Sequence, residues 1–362
     1  MRIKTDLLQD MVAKVIQGAS NNKLIYMSSL IGIELRDREL VLMTTDGTNN
    51  FLVRTNIEEP QQDFYSIVNA EQFSKLVGKT TKEFIELNNN DNYLEVKGNG
   101  TYKLPIAINE DGEIIRFSET LIDLGTAVEE INLKELQEAI KTAKASLLKT
   151  LEMPMLTGYY IGDNLITTDR QLVCKLDKKF VNSPILLSPE IADLLLIVDD
   201  SDKISLQISD TTLLFKTNKY IIYGKELQGK EDYTSGVVSA VTKLTSLEYG
   251  NSIQINKKEL LDALDRMGLF VEDYDDNGIY LRFSKDNQCL EIQSKKSSGY
   301  EKLIPKGANM TENFECLVNI EMLKSQLQSL TSDLVDLYYG QKTSIQLKEG
   351  NTTLVIALLN NN

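Results

Sequence analysis

The sequence predicts an α+β chain of three repeated domains, each made of two halves in which a strand, a helix and further strands follow one another. Three observations lead there. At about 150 residues per domain, 362 residues make two or three domains. A short apolar strand running into a capped helix recurs along the whole chain. After each such helix come strands of period two, such as Ile204-Ser205-Leu206-Gln207-Ile208 and Ile345-Gln346-Leu347, joined by Asn/Asp/Gly-rich turns such as 88–92. Apolar residues make up 42% and charged residues 25%, the balance of a soluble globular chain, with no apolar run near the roughly 18 residues a membrane helix needs.

The repeats have two forms. In the first, Glu130-Ile131-Asn132 and Gln254-Ile255-Asn256 each end on an Asn N-cap, and Glu135 and Glu259 follow three residues later in a capping-box-like arrangement. These two caps are 124 residues apart. The segment Ile3-Lys4-Thr5-Asp6-Leu7-Leu8-Gln9 reads as a third copy, with Asp6 and Gln9 in the capping roles. In the second form, Ile67-Val68-Asn69, Leu186-Leu187-Ser188 and Leu317-Val318-Asn319 precede helices with Glu71, Glu190 and Glu321 in the first turn, where the helix dipole favours an anion. Pro189 takes the first helical position. The predicted helices cover 6–17, 70–79, 134–149, 189–198, 257–267 and 320–329. Links near 118–127 and 235–251 divide the chain into domains 1–121, 122–240 and 241–362.

Composition narrows the chemistry. The chain has no histidine, which removes Ser/His/Asp and Cys/His nucleophiles and the usual His-containing zinc sites. Its three cysteines, Cys174, Cys289 and Cys316, show no Cys-x-x-Cys spacing and read as buried thiols in a reducing compartment, so neither a metal nor another cofactor is expected. The N-terminus lacks the apolar core and cleavage site of a secretory signal, and the expected location is the cytoplasm, with no membrane partner. Carboxylates remain. Thr44-Thr45-Asp46-Gly47 and Thr167-Thr168-Asp169-Arg170 recur 123 residues apart, and a hydrolase could set Asp46 against Asp169 across a cleft. Their recurrence favours turn chemistry instead. Gly98-Asn99-Gly100 lacks the further glycine and following helix of a dinucleotide loop and reads as a hairpin.

Several short segments, taken in order, resemble the bacterial sliding clamp, the beta subunit of DNA polymerase III. They are Leu40-Val41-Leu42-Met43-Thr44-Thr45-Asp46 and Phe64-Tyr65-Ser66-Ile67-Val68-Asn69 in the first third, Leu156-Thr157-Gly158, Thr168-Asp169 and Asp232-Tyr233 in the middle, and Gly278-Ile279-Tyr280-Leu281 and Ser344-Ile345-Gln346-Leu347 in the last. The resemblance implies a non-catalytic, head-to-tail homodimer forming a ring of six similar domains, with helices lining the hole and sheets outside. Such rings encircle duplex DNA of any sequence, tether DNA polymerase and are placed by a clamp loader; the DNA polymerase III alpha subunit is the polymerase partner implied. A clamp-like scaffold or decoy that binds the same partners without encircling DNA is the alternative. A carboxylate hydrolase stands third.

The resemblance also assigns residues. A pocket for short partner peptides would hold Leu156, Thr168, Leu172, Asn319, Met322, Ile356, Leu358 and Leu359. It departs from the family after Thr168-Asp169, where the Gly-His-Arg run is shortened to Arg170-Gln171. It departs again near Asp232-Tyr233, where Glu231 replaces Pro and Ser235-Gly236 replaces Arg-Val. An altered peptide preference follows, and a clamp carried by a phage or mobile element fits it. At the subunit joint the family places an apolar pair, here within Leu269-Phe270-Val271 before the acidic run 272–276, opposite an aromatic at Tyr102. DNA would face Lys75, Lys79, Lys134, Lys141 and Lys149. The predicted helices hold 11 Lys/Arg and 11 Asp/Glu, so the whole net charge of −14 falls outside them. A solvated lysine face gives the same pattern.

Overall fold

The computed structural model describes residues 1–20, 24–58, 61–117, 123–271, 276–296 and 298–360. The expected boundary at 121/122 and most of the acidic run (272–275) lie outside them.

A strand leads into a helix six times, five times directly and once across Ser188. Arg2–Lys4 (β1) enters Thr5–Val15 (α1), followed by Leu30–Arg36 (β2), Glu39–Thr45 (β3) and Asn50–Asn56 (β4). Phe64–Asn69 (β5) enters Ala70–Gly78 (α2), followed by Phe84–Asn89 (β6), Tyr93–Lys97 (β7) and Thr101–Pro105 (β8). Val128–Asn132 (β9) enters Leu133–Ala143 (α3), followed by Tyr159–Ile161 (β10), Leu165–Thr168 (β11) and Leu172–Leu176 (β12). Ile185–Leu187 (β13) precedes Pro189–Leu195 (α4), then Lys203–Ser209 (β14), Thr212–Lys216 (β15) and Tyr220–Lys225 (β16). Next comes a helical segment, Lys230–Asp232 (α5), a π-turn at Tyr233–Val237 and Val238–Thr245 (α6). Asn251–Asn256 (β17) then enters Lys257–Met267 (α7), followed by Gly278–Ser284 (β18), Cys289–Ser294 (β19), Tyr300–Leu303 (β20) and Gly307–Asn309 (β21). Phe314–Asn319 (β22) enters Ile320–Ser329 (α8), and Leu334–Tyr339 (β23), Ser344–Glu349 (β24) and Thr352–Ala357 (β25) close the chain.

Three of the four expected asparagine caps are in place: the Oδ1 atoms of Asn69, Asn256 and Asn319 accept from the amides of Gln72, Glu259 and Met322 at 2.9, 3.0 and 3.0 Å. The N-terminal copy differs. α1 begins at Thr5 with Lys4 at the cap position, so Asp6 lies in the first turn instead of capping. Gln9 reaches another helix end, donating its amide to the carbonyl of Val77 in the last turn of α2 and to that of Thr80 just beyond it. The helix expected over 134–149 stops at Ala143 and passes through a 3-10 turn at Lys144–Ser146, which leaves Lys149 off the helix. The link expected at 235–251 is helical through Thr245, because Tyr233, Val237 and Val241 form an apolar i, i+4, i+8 stripe that meets a sheet.

Every first strand pairs outside its own half. β1 pairs with β6 and β5 with β2; β9 pairs with β14 and β13 with β10; β17 pairs with β23 and β22 with β18. This exchange interlocks the two halves, because neither sheet is complete without a strand from the other. The described chain forms two units. One comprises Met1–Lys134 and Pro189–Glu226 and holds an eight-stranded sheet, β5-β2-β3-β4-β16-β15-β14-β9, with β4 and β16 joined edge to edge. The other comprises Glu135–Ser188 and Leu227–Asn362 and holds a nine-stranded sheet, β13-β10-β11-β12-β25-β24-β23-β17-β21, joined through β12 and β25. Each unit also carries a four-stranded sheet, β1-β6-β7-β8 and β20-β19-β18-β22 respectively. No helix among the described residues is long and apolar enough to cross a membrane.

The two Thr-Thr-Asp runs build the same turn. Asp46 Oδ1 accepts from the amides of Thr48 and Asn49 (2.8 and 2.7 Å), and Asp169 Oδ1 from those of Gln171 and Leu172 (2.8 and 2.6 Å). In each, the first threonine donates to the carbonyl ending the preceding helix, Thr44 to Val15 and Thr167 to Ala143. Both aspartates are turn formers.

In the first unit, α1 is tied to the segment after α4 by Lys14. Its ammonium donates to Asp10 at 3.0 Å and to Asp199 at 2.9 Å, and Tyr220 Oη donates to Asp199 at 2.7 Å. Burial opposes the charge on Asp199, but the hydrogen bonds from Lys14 and Tyr220 prevail and hold its carboxyl below the usual range. A lowered carboxyl stabilises the fold above its unfolded value of about 4, and that contribution disappears as pH falls through the folded value. Urea midpoints at pH 7 and pH 3 should therefore differ more for wild type than for Asp199→Asn; equal differences would remove this pair from the acid response.

Candidate functional site

The residues expected to form a peptide pocket all belong to the second unit, but the sheet register divides them. Val173 lies opposite Val355, and Leu172 opposite Ile356. Successive side chains of a strand face opposite sides. Val173 and Val355 therefore share the outer face with Tyr160, Ile166, Leu186 and Leu156. Leu172 and Ile356 share the other face with Thr167, whose hydroxyl bonds the end of α3. They are core residues beneath the helices, 3% and 0% exposed, and do not line an outer groove. Thr168 is buried, its hydroxyl spent on the Leu172 carbonyl in the turn.

The remaining members lie toward α8. Asn319 caps that helix and also donates its side-chain amide to the Asp276 carbonyl. Met322 stands half-buried in the first turn. β25 ends at Ala357, so Leu358 and Leu359 follow the strand; both are half-buried, and the Leu359 amide donates to the carbonyl of Leu317, two residues before Asn319. The chain end thus runs beside the entry to α8.

The face of the sheet that carries Val173 and Val355 is already covered. Val241 of α6 and Tyr233 of the π-turn pack on Leu156, Val173 and Val355, with Leu148, Met153, Met155, Val237 and Val238 at the margin. Leu156 is only 2% exposed. Tyr233 stacks on Tyr160 with ring centroids 5.5 Å apart and donates its hydroxyl to the Ile166 carbonyl at 3.1 Å. None of Tyr160, Val173, Tyr233, Val241 and Val355 stood among the expected site residues. The Tyr233, Val237, Val241 stripe was the available signal.

The helix charges also differ from expectation. Within their observed bounds the six helices that follow strands carry eight Lys/Arg and eleven Asp/Glu, because Lys79, Lys144 and Lys149 fall beyond helix ends. Lys75 pairs with Glu71, and Lys134 with Asp202 at 2.6 Å; the Asp202 carboxylate, by hydrogen bond and charge, raises the Lys134 ammonium above its ordinary value. Lys79, Lys141 and Lys149 are exposed. So are the acidic Glu138, Glu190, Asp193 and Asp262.

The first 115 residues match the family model of the DNA polymerase III beta subunit, N-terminal domain. Over the whole chain the structure is similar to the DNA polymerase sliding clamp of Bacillus subtilis, with a TM-score of 0.84, 18% identity, and coverage of 100% of this chain and 99% of that one. The chain has the sliding-clamp fold. It is also similar to the DNA polymerase III subunit beta of Borrelia burgdorferi in complex with a natural product (TM-score 0.85, 18% identity, 100% and 99% covered). A Pseudomonas aeruginosa sliding clamp bound to griselimycin gives 0.85 at 16% identity, with 99% of each chain covered. No curated protein matches by sequence.

On this clamp fold the residues expected at a subunit joint lie at open sheet edges. Tyr102, 43% exposed, stands on the edge strand β8. Leu269 and Phe270 form a 3-10 turn after α7 and are 81% and 47% exposed, with Val271 half-buried beside them. Phe270 lies against Gly299, where a Cβ would meet its ring at 3.0 Å, and Gly299 leads into the edge strand β20 with exposed Tyr300 and, just beyond it, Ile304. Burial pushes the thiols of Cys174 and Cys316 up to about 12, which keeps them protonated near neutral pH. Among the described residues no group of three or more His, Cys, Asp or Glu could hold a metal ion.

Proposed function

We propose that this chain is a sliding clamp: a homodimeric ring of six similar domains (1–121, 122–240 and 241–362 from each protomer) that encircles duplex DNA and tethers DNA polymerase. It acts in the cytoplasm without a cofactor or a catalytic step, is loaded by a clamp loader and engages the DNA polymerase III alpha subunit through the groove on the outer face of the nine-stranded sheet. The observation that carries the reading is the sixfold strand-into-helix repeat with exchanged first strands, found over the full length of a clamp-like chain. The joint uses Leu269, Phe270 and Val271 against Tyr102.

The charge distribution decides how DNA would be held. Helices with an acid excess attract phosphates weakly, since affinity for duplex rests on Lys and Arg contacts. Retention is then topological, because a closed ring leaves only at an end or an opened joint. Lys79 and Lys141 guide the phosphates, with Lys149 beside them and Lys75 and Lys134 partly neutralised by their carboxylates.

The test is loading onto nicked circular DNA by a matching loader, followed by linearisation. The protein should remain on the circle and leave promptly once it is cut. Equal retention on circular and linear DNA would overturn encirclement and leave the scaffold that binds clamp partners alone.

A further inference from the structure

The sheet face that carries Val173 and Val355 in the second unit is covered by the protein itself, and the two ends of that cover are held differently. At the Tyr233 end the contact is a ring stack, a hydroxyl bond and complete burial. At the α6 end only Val241 is buried, and the last carbonyls, Leu244 and Thr245, are met by the side-chain amide of Gln346 at 3.2 and 3.3 Å. Gln346 lies opposite Val355 in the sheet and so shares the groove face. It is fully buried, and its Oε1 has no hydrogen-bond partner. A buried idle acceptor is unfavourable, so closure over the groove leaves a cost that another arrangement could relieve.

Between the two ends lies the π-turn, a mid-helix irregularity of the kind found at functional sites and hinges. It contains Gly236, where an added Cβ would meet nothing within 4 Å and the backbone does not occupy the left-handed region. Neither crowding nor dihedral strain requires glycine there. What glycine does supply is a weak point in the helix.

We propose that α6 is an intramolecular occupant of the partner groove, a lid hinged at the π-turn that a partner's apolar peptide must displace. This rests on the reading of the groove as the partner site. With α6 swung out, the place of Val241 over Leu156, Val173 and Val355 accepts an apolar side chain, and the freed Gln346 amide offers both a donor and an acceptor to the peptide backbone. The lid makes partner affinity depend on the closed-to-open ratio, since binding to a minor state is weakened by its fraction.

The experiment measures anisotropy of a fluorescein-labelled decapeptide, three leucines separated by serine and glutamine, on full-length wild type, Val241→Ser and Gly236→Ala. Thermal melts confirm folding. Val241→Ser loosens the lid and should bind about tenfold more tightly, whereas Gly236→Ala stiffens the hinge and should bind about three- to fivefold more weakly. Hydrogen exchange supplies a second readout that survives poor folding of either variant: peptide added to wild type should speed exchange at 241–245. Wild-type binding with unchanged or increased protection there, or with the two variants shifted in the opposite directions, overturns the lid and leaves the groove standing. No binding by wild type or either variant overturns the groove reading and the lid with it.

Discussion

Phe270→Arg is expected to convert a dimer into a monomer, seen as a halving of mass by light scattering. Leu269, Phe270, Tyr300 and Ile304 expose apolar side chains beside the open edge of β20, and such an edge is a template for another chain. In the proposed ring it meets the β8 edge of the other protomer, where Tyr102 stands exposed. An aromatic anchor at the centre of an interface is worth at least about 2 kcal/mol, so its loss weakens association roughly thirtyfold or more, before the cost of burying a guanidinium. Because Phe270 is about half exposed in the single chain, the variant should keep its circular dichroism and melting point. A monomeric wild type, or an undisturbed dimer in the variant, would remove the proposed joint.

Lysine in place of Glu138, Glu190, Asp193 and Asp262 is expected to create salt-sensitive binding to linear duplex, where wild type binds weakly. All four are exposed on α3, α4 and α7, which together carry five Lys/Arg and seven Asp/Glu. If those helices face DNA, each new lysine can neutralise a phosphate and release its counterion. Four such contacts change affinity roughly a hundredfold between 50 and 200 mM salt. Titrations with labelled duplex at the two salt concentrations read this directly. An unchanged salt slope would show that the helix faces lie away from DNA, and the encircling geometry would have to be abandoned.

Local features were legible from composition and spacing because their causes are local. Asn69, Asn256 and Asn319 cap helices three residues before the amides they bind. Asp46 and Asp169 hold turns whose hydrogen bonds span two or three residues. The expected pocket residues were sorted only in part. Leu156 packs in one cluster with Val173 and Val355, but a strand's pattern does not tell which parity faces that cluster when both faces are apolar, and here Val173 and Val355 stand where Leu172 and Ile356 were expected. The link expected over 235–251 is instead helical through Thr245, because burial of Tyr233 and Val241 against the sheet outweighs the modest helix penalty of Gly236.

By itself, then, the sequence determined the repeated α+β plan, the starts of four of the six strand-fed helices to the residue and of the other two within one residue, the two Asp turns and the absence of imidazole chemistry. The exchange of first strands, the β4–β16 and β12–β25 joins, the use of Gln9 to cap a distant helix and the packing of α6 on the nine-stranded sheet were decided in the tertiary structure. The physical reason is separation along the chain. A cap or a turn is chosen among conformations of a few residues, while a strand partner 84 residues away (Arg2 with Glu86) or a side-chain bond across 102 (Gln346 to Leu244) is chosen by the total burial and hydrogen bonding of the folded unit, which no short window contains.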